Sequence, residues 1–166
     1  SDSCPKGDLD WISSSITDYD SDGCQDDSSE DTDDDNDSIL DSSDDCQTGD
    51  LGWTSSSSTE HDSDGCQDNS SEDTDDDNDG MNDLSDSCPT GDLNWTSSST
   101  TDYDSDGCKD SNEDTDDDND SVLDSSDSCP WGDLSWISSS ITDHDSDGCQ
   151  DISSEDLDLS LIHISE

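Results

Sequence analysis

The stretch DTDDDNDGMNDLSDSCP, Asp73 to Pro89, decides how the chain is read. Counting from Asp75, acids stand at positions 1, 3 and 5 (Asp75, Asp77, Asp79). Gly80 follows at 6, Met81 at 7, and acids return at 9 and 12 (Asp83, Asp86). Calcium asks for about six to eight hard oxygen ligands, and a loop of this phase offers them from those side chains and from the carbonyl at position 7, with Gly at 6 for the sharp turn. Acidic runs are usually solvated spacers. A spacer, however, needs neither this phase nor a Cys at a fixed distance from it.

The same loop occurs twice more. One copy is Asp33, Asp35, Asp37, Ser38, the Ile39 carbonyl, Asp41 and Asp44; the other is Asp116, Asp118, Asp120, Ser121, the Val122 carbonyl, Asp124 and Asp127. Ser at the turn position is expected to cost affinity or geometry. A second kind of loop precedes each. It runs Asp18, Asp20, Asp22, Gly23, the Cys24 carbonyl, Asp26 and Glu30, and then Glu60, Asp62, Asp64, the Cys66 carbonyl, Asp68 and Glu72. Further copies run Asp102, Asp104, Asp106, the Cys108 carbonyl, Asp110 and Glu113, and Asp143, Asp145, Asp147, the Cys149 carbonyl, Asp151 and Glu155. The third copy fits D-x-D-x-D-G-x5-E in full. In the others the Glu sits one place late, so either a bulge brings it back or the neighbouring Asp replaces it.

These loops belong to a tandem repeat. Cys4, Cys46 and Cys88 lie 42 residues apart and Cys129 follows 41 later; Cys24, Cys66, Cys108 and Cys149 take the same steps. The units are 1–42, 43–84, 85–125 and 126–158, the last truncated. Ser1-Asp2 aligns with Ser43-Asp44, so the pattern is expected to begin before residue 1. Residues 159–166, LSLIHISE, leave the pattern and resemble a translated sequencing adapter, a non-native tail that removes His163 from any site argument.

Composition bounds what else the chain can be. Only 21% of residues are hydrophobic and there is no Phe, too little apolar surface to offset the entropy of ordering the chain. The net charge of −50 makes the chain repel itself and leaves no basic footprint for nucleic acid or an anionic membrane surface. No apolar run is long enough to span a bilayer. Eight Cys with no CxxC pair read as disulfides, hence an extracellular or cell-surface place. Pairing within each repeat (Cys4–Cys24, Cys46–Cys66, Cys88–Cys108, Cys129–Cys149) is preferred, and a scheme joining Cys24 to Cys46 and so on stays open.

The acidic half of each unit resembles the thrombospondin type 3 repeats, tandem D-x-D-x-D-G-x-x-D-x-x-D-x-C units that wrap calcium in a disulfide-held wire; Asp73 to Pro89 is the nearest stretch. The resemblance implies calcium and an extracellular place for that half. The Cys/Trp half, such as CPTGDLNWTSSSTTDYDSDGC, is instead similar to acidic repeats of microbial surface proteins.

In that half Trp11, Trp53, Trp95 and Trp136 each follow a Cys by seven, with Leu9, Leu51, Leu93 and Leu134 two places earlier. Packing on the disulfide as a miniature core is the expectation, and sugar stacking the alternative. The Ser/Thr tracts read as a polar extended segment or as O-glycosylated stalk. Their hydroxyl residues are Ser13, Ser14, Ser15 and Thr17; Thr54, Ser55, Ser56, Ser57, Ser58 and Thr59; Thr96, Ser97, Ser98, Ser99, Thr100 and Thr101; and Ser138, Ser139, Ser140 and Thr142. His61 and His144 replace Tyr19 and Tyr103 at loop position 2 and read as surface residues. No nucleophile, base and orienting acid recur together, so no enzyme is expected.

The sequence therefore predicts an irregular, mostly loop fold with little regular secondary structure: a linear tandem-repeat rod stabilised by calcium, about two ions per repeat, and by disulfides. Its expected role is an extracellular stalk or fibre, its partners calcium, further repeats or copies of itself, and possible covalent glycans. Two rivals stand beside it, a calcium-dependent carbohydrate- or mineral-binding module and a disordered acidic spacer.

Overall fold

The computed structural model describes residues 2–26 and 28–156, so the tail at 159–166 lies outside the described residues. Among the described residues there is no α-helix and no β-strand, and the single helical element is a 3-10 turn, Asp41–Ser43. The fold is irregular and loop-rich, as the composition requires. The chain divides into two compact units, Ser1–Asp77 and Asn78–Glu166, and each is built from the same local devices.

The interior is inverted relative to an ordinary domain. Among the described residues the buried apolar ones are Cys24, Cys66, Cys108 and Cys149, each a half-cystine, and sixteen acidic side chains are buried with them. All four disulfides close within a repeat, Cys4–Cys24, Cys46–Cys66, Cys88–Cys108 and Cys129–Cys149, with Cα–Cα distances of 5.1 to 5.3 Å. Each cross-link removes about 3 kcal/mol of loop entropy from the unfolded chain.

The Leu residues take no part in the expected miniature core. Leu9 is 87% exposed, Leu51, Leu93 and Leu134 are exposed as well, and the four repeated Trp rings are only half-buried. The reason is local: the residue before each Trp (Asp10, Gly52, Asn94, Ser135) has positive φ, which breaks any continuous apolar face between Leu and Trp.

Nor do the Ser/Thr tracts make a strand. Each closes a single turn in which the amide of the acid that opens the first loop reaches back to a Ser carbonyl: Asp18 to Ser14 at 2.9 Å, Glu60 to Ser56 at 3.0 Å, Asp102 to Ser98 at 2.9 Å and Asp143 to Ser139 at 2.8 Å. Thr17 Oγ1 donates to the Ile12 carbonyl, and Thr59, Thr101 and Thr142 repeat the bond to Thr54, Thr96 and Ile137. Hydroxyls that compete with regular backbone pairing thus select a turn, and the turn carries the acid inward.

Position 6 of the loops behaves as its Gly requires. φ is between 86° and 95° at Gly23, Gly65, Gly80, Gly107 and Gly148, and Ser38 and Ser121 hold the same region at 85° and 80°. The geometry is kept and the cost falls on the backbone, since a non-Gly residue in the left-handed region loses about 1–2 kcal/mol. Ser121→Gly is therefore expected to raise stability at saturating calcium by about 0.5–1 kcal/mol, the unfolded-chain entropy of Gly offsetting part of the strain relief; a thermal melt of the two chains at matched free calcium checks it.

Candidate metal centres

Each loop is wound by its own carboxylates. In the first loop of unit 1, Asp18 Oδ1 accepts from the Gly23 amide at 3.3 Å, Asp20 Oδ1 from Asp22 at 2.9 Å and Asp22 Oδ1 from Cys24 at 2.7 Å. In the second loop the same positions recur: Asp33 with Ser38 at 3.2 Å, Asp35 with Asp37 at 3.2 Å, Asp37 with Ile39 at 2.6 Å, and finally Asp44 with Cys46 at 2.6 Å. Unit 2 repeats this with Asp102, Asp104 and Asp106, and with Asp116, Asp118, Asp120 and Asp127. Position 9 ties the loop across: Asp26 accepts from the Tyr19 amide, Asp110 from Tyr103 and Asp124 from Asp117. A short polar side chain that bonds the amide two residues ahead forms a turn of its own, which is why alternating Asp winds into a loop.

At positions 1, 5 and 12 of the second loops one oxygen winds the loop and the other is buried, whereas at position 3 the second oxygen of Asp35 and of Asp118 accepts from the Gly49 and Gly132 amides at 2.8 and 2.7 Å. Asp33 Oδ1, Asp37 Oδ2 and Asp44 Oδ2 are buried and have no hydrogen-bond partner, and Asp116 Oδ1, Asp120 Oδ2 and Asp127 Oδ2 repeat this in unit 2. Carboxylate oxygens of Asp18, Asp20 and Asp22 converge within 4.8 Å of one another, as do those of Asp33, Asp35 and Asp37, and of Glu60, Asp62 and Asp64. A buried charge left unpaired costs several kcal/mol. The chain has two Lys and no Arg, and Lys109 pairs at 3.3 Å with Asp92, which is none of these acids. Clustered acids of this kind fit a hard divalent cation, whose charge and oxygen preference match what is missing.

The Glu residues read as loop-closing ligands take another position. Glu30 spends Oε1 on the Gln25 amide at 2.9 Å and Oε2 on the Asp8 amide; Glu72 bridges Gln67 and Asp50, Glu113 bridges Lys109 and Asp92, and Glu155 bridges Gln150 and Asp133. Each clamps the Cys/Trp half onto the loop. The neighbouring acid turns inward instead: an Asp31 oxygen comes within 4.8 Å of one from Asp22, and Oδ2 of Asp31, Asp73 and Asp114 is buried with no partner. Of the two closures the sequence left open, the geometry is that of the neighbouring Asp. In the third repeat the shortened spacing leaves Glu113 in the same clamp. The signal that could have singled out Asp31, Asp73 and Asp114 is their constant place two residues before the second loop.

The opening acid of the first loop is treated differently again. Ser13 Oγ donates to Asp18 at 2.5 Å, and Ser55, Ser97 and Ser138 do the same for Glu60, Asp102 and Asp143. The Ser13 bond holds the Asp18 carboxyl below the usual carboxylate range; at Asp143 burial pushes upward, but Ser138 and the Gly148 amide outweigh it.

Five other ligand positions move the opposite way and furthest. Burial away from water pushes Asp44 and Asp104 up to about 7 and Asp37, Asp120 and Asp127 up to about 6, with neighbouring acids adding to it. Folded-state values above the ordinary range mean that protons favour the metal-free fold: this contribution is present in acid and lost as the pH rises through 6 to 7. Metal and proton compete for the same oxygens. Calcium affinity is therefore expected to fall by tenfold or more between about pH 8 and pH 5, with protons released on binding near neutrality, as calorimetry in buffers of different ionisation enthalpy would read.

Comparison with protein-family profiles, characterised proteins and solved structures returns no match to this chain. Among the described residues no helix is long and apolar enough to cross a membrane.

Proposed function

We propose that the chain is an extracellular calcium-binding structural repeat, a segment of stalk or fibre and not a catalyst, resembling thrombospondin type 3 repeats in its acidic half. The observation that carries this reading is the recurrence of buried, partnerless oxygens at positions 1, 5 and 12 of the second loops, Asp33, Asp37 and Asp44 in one unit and Asp116, Asp120 and Asp127 in the other. Calcium supplies the positive charge that the protein lacks, and a loop of oxygen donors with no closed, rigid cage suits an ion that tolerates irregular coordination better than magnesium does. Four disulfides fit an oxidising compartment, where free calcium stands near the ~0.1–1 mM at which extracellular modules fill.

Covalent sugar on the Ser/Thr tracts is part of the same proposal. The hydroxyls of Ser13, Ser55, Ser97 and Ser138 are engaged by the loop acids, whereas Ser15, Ser57, Ser99 and Ser140 are exposed on the turn and are the acceptors the geometry favours.

Calorimetric titration tests the metal reading. Calcium is expected to bind at several sites per chain in the submillimolar range, with magnesium at least tenfold weaker; equal binding of both ions at millimolar strength, as for a simple polyanion, would remove it.

A further inference from the structure

The two loops of a repeat do not account for every inward acid. Asp34, Asp76 and Asp117 occupy position 2 of the second loop, outside its ligand phase, yet each is Asp. Asp117 is 6% exposed, and Asp31 and Asp73 are 8% exposed. Carboxylate oxygens of Asp26, Asp31 and Asp34 lie within 4.8 Å of one another. The position-9 acid of the first loop, the acid that follows the Glu clamp and the extra acid of the second loop thus meet at the junction of the two loops.

We propose that this junction is a further divalent-cation site in each complete repeat, held by Asp26, Asp31 and Asp34 in the first copy and by Asp110, Asp114 and Asp117 in the third, with water completing the shell. Two features support it beyond the clustering of acids. Asp31 Oδ2, on the carboxylate that also closes the first loop, is buried and partnerless, as is Asp73 Oδ2 in the second copy, so this carboxylate is placed to bridge the loop ion and the junction ion. In the third copy the Trp131 indole Nε1 donates to Asp117 Oδ2, which fixes that carboxylate and leaves its Oδ1 buried without a partner.

A water-rich shell on three carboxylates gives an ion that is weaker and more exchangeable than the loop ions. It neutralises the acids that join one loop to the next. The inference rests on the loops being calcium sites, and one experiment separates the two claims. Calcium bound at saturation is counted by equilibrium dialysis on the full chain and on the D34N/D76N/D117N variant, with circular dichroism as the check on fold. The expected result is three fewer ions per variant chain, one for each substituted copy, and an unchanged spectrum.

Equal counts in the two chains overturn this site and leave the loops standing. A native chain that binds nothing overturns both. If the triple variant fails to fold, the single variants D34N, D76N and D117N are each expected to lose one ion, and full retention in all three overturns the site. A second readout is local: terbium emission excited through indole is expected to drop in W131F relative to native chain, and D117N with Trp131 intact is expected to lose the same component. Emission in D117N equal to that of the native chain would overturn the assignment at Asp117.

Discussion

Removing calcium with a chelator is expected to abolish the ordered circular dichroism of the chain and open it to proteases in one cooperative step, restored by adding the ion back. The reasoning is energetic. Among the described residues sixteen acidic side chains are buried with four half-cystines and no apolar core of comparable size stands behind them, while the net charge is −50. The favourable term that holds an ordinary domain together is missing there. A site filled to a hundred times its dissociation constant contributes about 2.7 kcal/mol, so two such sites reach the ~5 kcal/mol at the low end of domain stability. Binding energy here is folding energy. The four disulfides survive chelation and keep the released chain cross-linked, so the expected end state is an expanded set of covalent loops rather than a random coil. A chain whose spectrum and protease resistance are indifferent to chelator at neutral pH would be the disordered spacer or a metal-independent fold, and the loop oxygens would need another explanation.

How much of this was legible beforehand follows from which interactions are local. The loops were readable because each is wound by bonds spanning two to seven residues, and alternation of Asp with a Gly six places in is a direct record of those bonds. The within-repeat disulfides were preferred but left open by the sequence, because each bond spans twenty residues and its two ends are held together by the Glu clamp. The clamp itself was not readable. A Glu one residue out of phase looks like an imperfect ligand, and only the fold shows its two oxygens on amides of the preceding segment, as Glu30 does with Gln25 and Asp8. The neighbouring Asp31 stayed one of two open closures for the complementary reason, since it belongs to neither loop's phase. The miniature core at Leu and Trp was misjudged because spacing alone does not reveal a positive φ at the intervening residue, and that one dihedral at Asp10, Gly52, Asn94 and Ser135 turns the Leu outward. Tyr19 and Tyr103 carry no sequence signal of their role, which is to donate their hydroxyls to the Gly49 and Gly132 carbonyls of the following repeat, each at 2.9 Å.

Substituting the turn glycine of a first loop is expected to be far more damaging than substituting the glycine before a Trp, although both have positive φ. A Cβ on Gly107, whose φ is +92°, would sit 3.1 Å from the Cα of Asp86 and inside the contact distance of its carboxylate. Asp86 is the last acid of the preceding loop, and the Ser87 amide next to it bonds the Asp106 carbonyl at 2.7 Å. Relief therefore requires two loops to move apart against a backbone bond and the Cys88–Cys108 disulfide. Gly52 has φ +86°, and a methyl group added there would meet nothing within 4 Å. Gly52→Ala then carries only the left-handed penalty, about 1–2 kcal/mol. Gly107→Ala adds overpacking of about 1–3 kcal/mol, and because the displaced acid is itself a ligand position, calcium affinity should fall at both flanking loops by at least tenfold. Calcium titrations of the two variants, followed by circular dichroism and by thermal melts at fixed free calcium, separate the cases. Equal midpoints would mean that the loops bind independently and that the close approach of Asp86 to Gly107 carries no coupling.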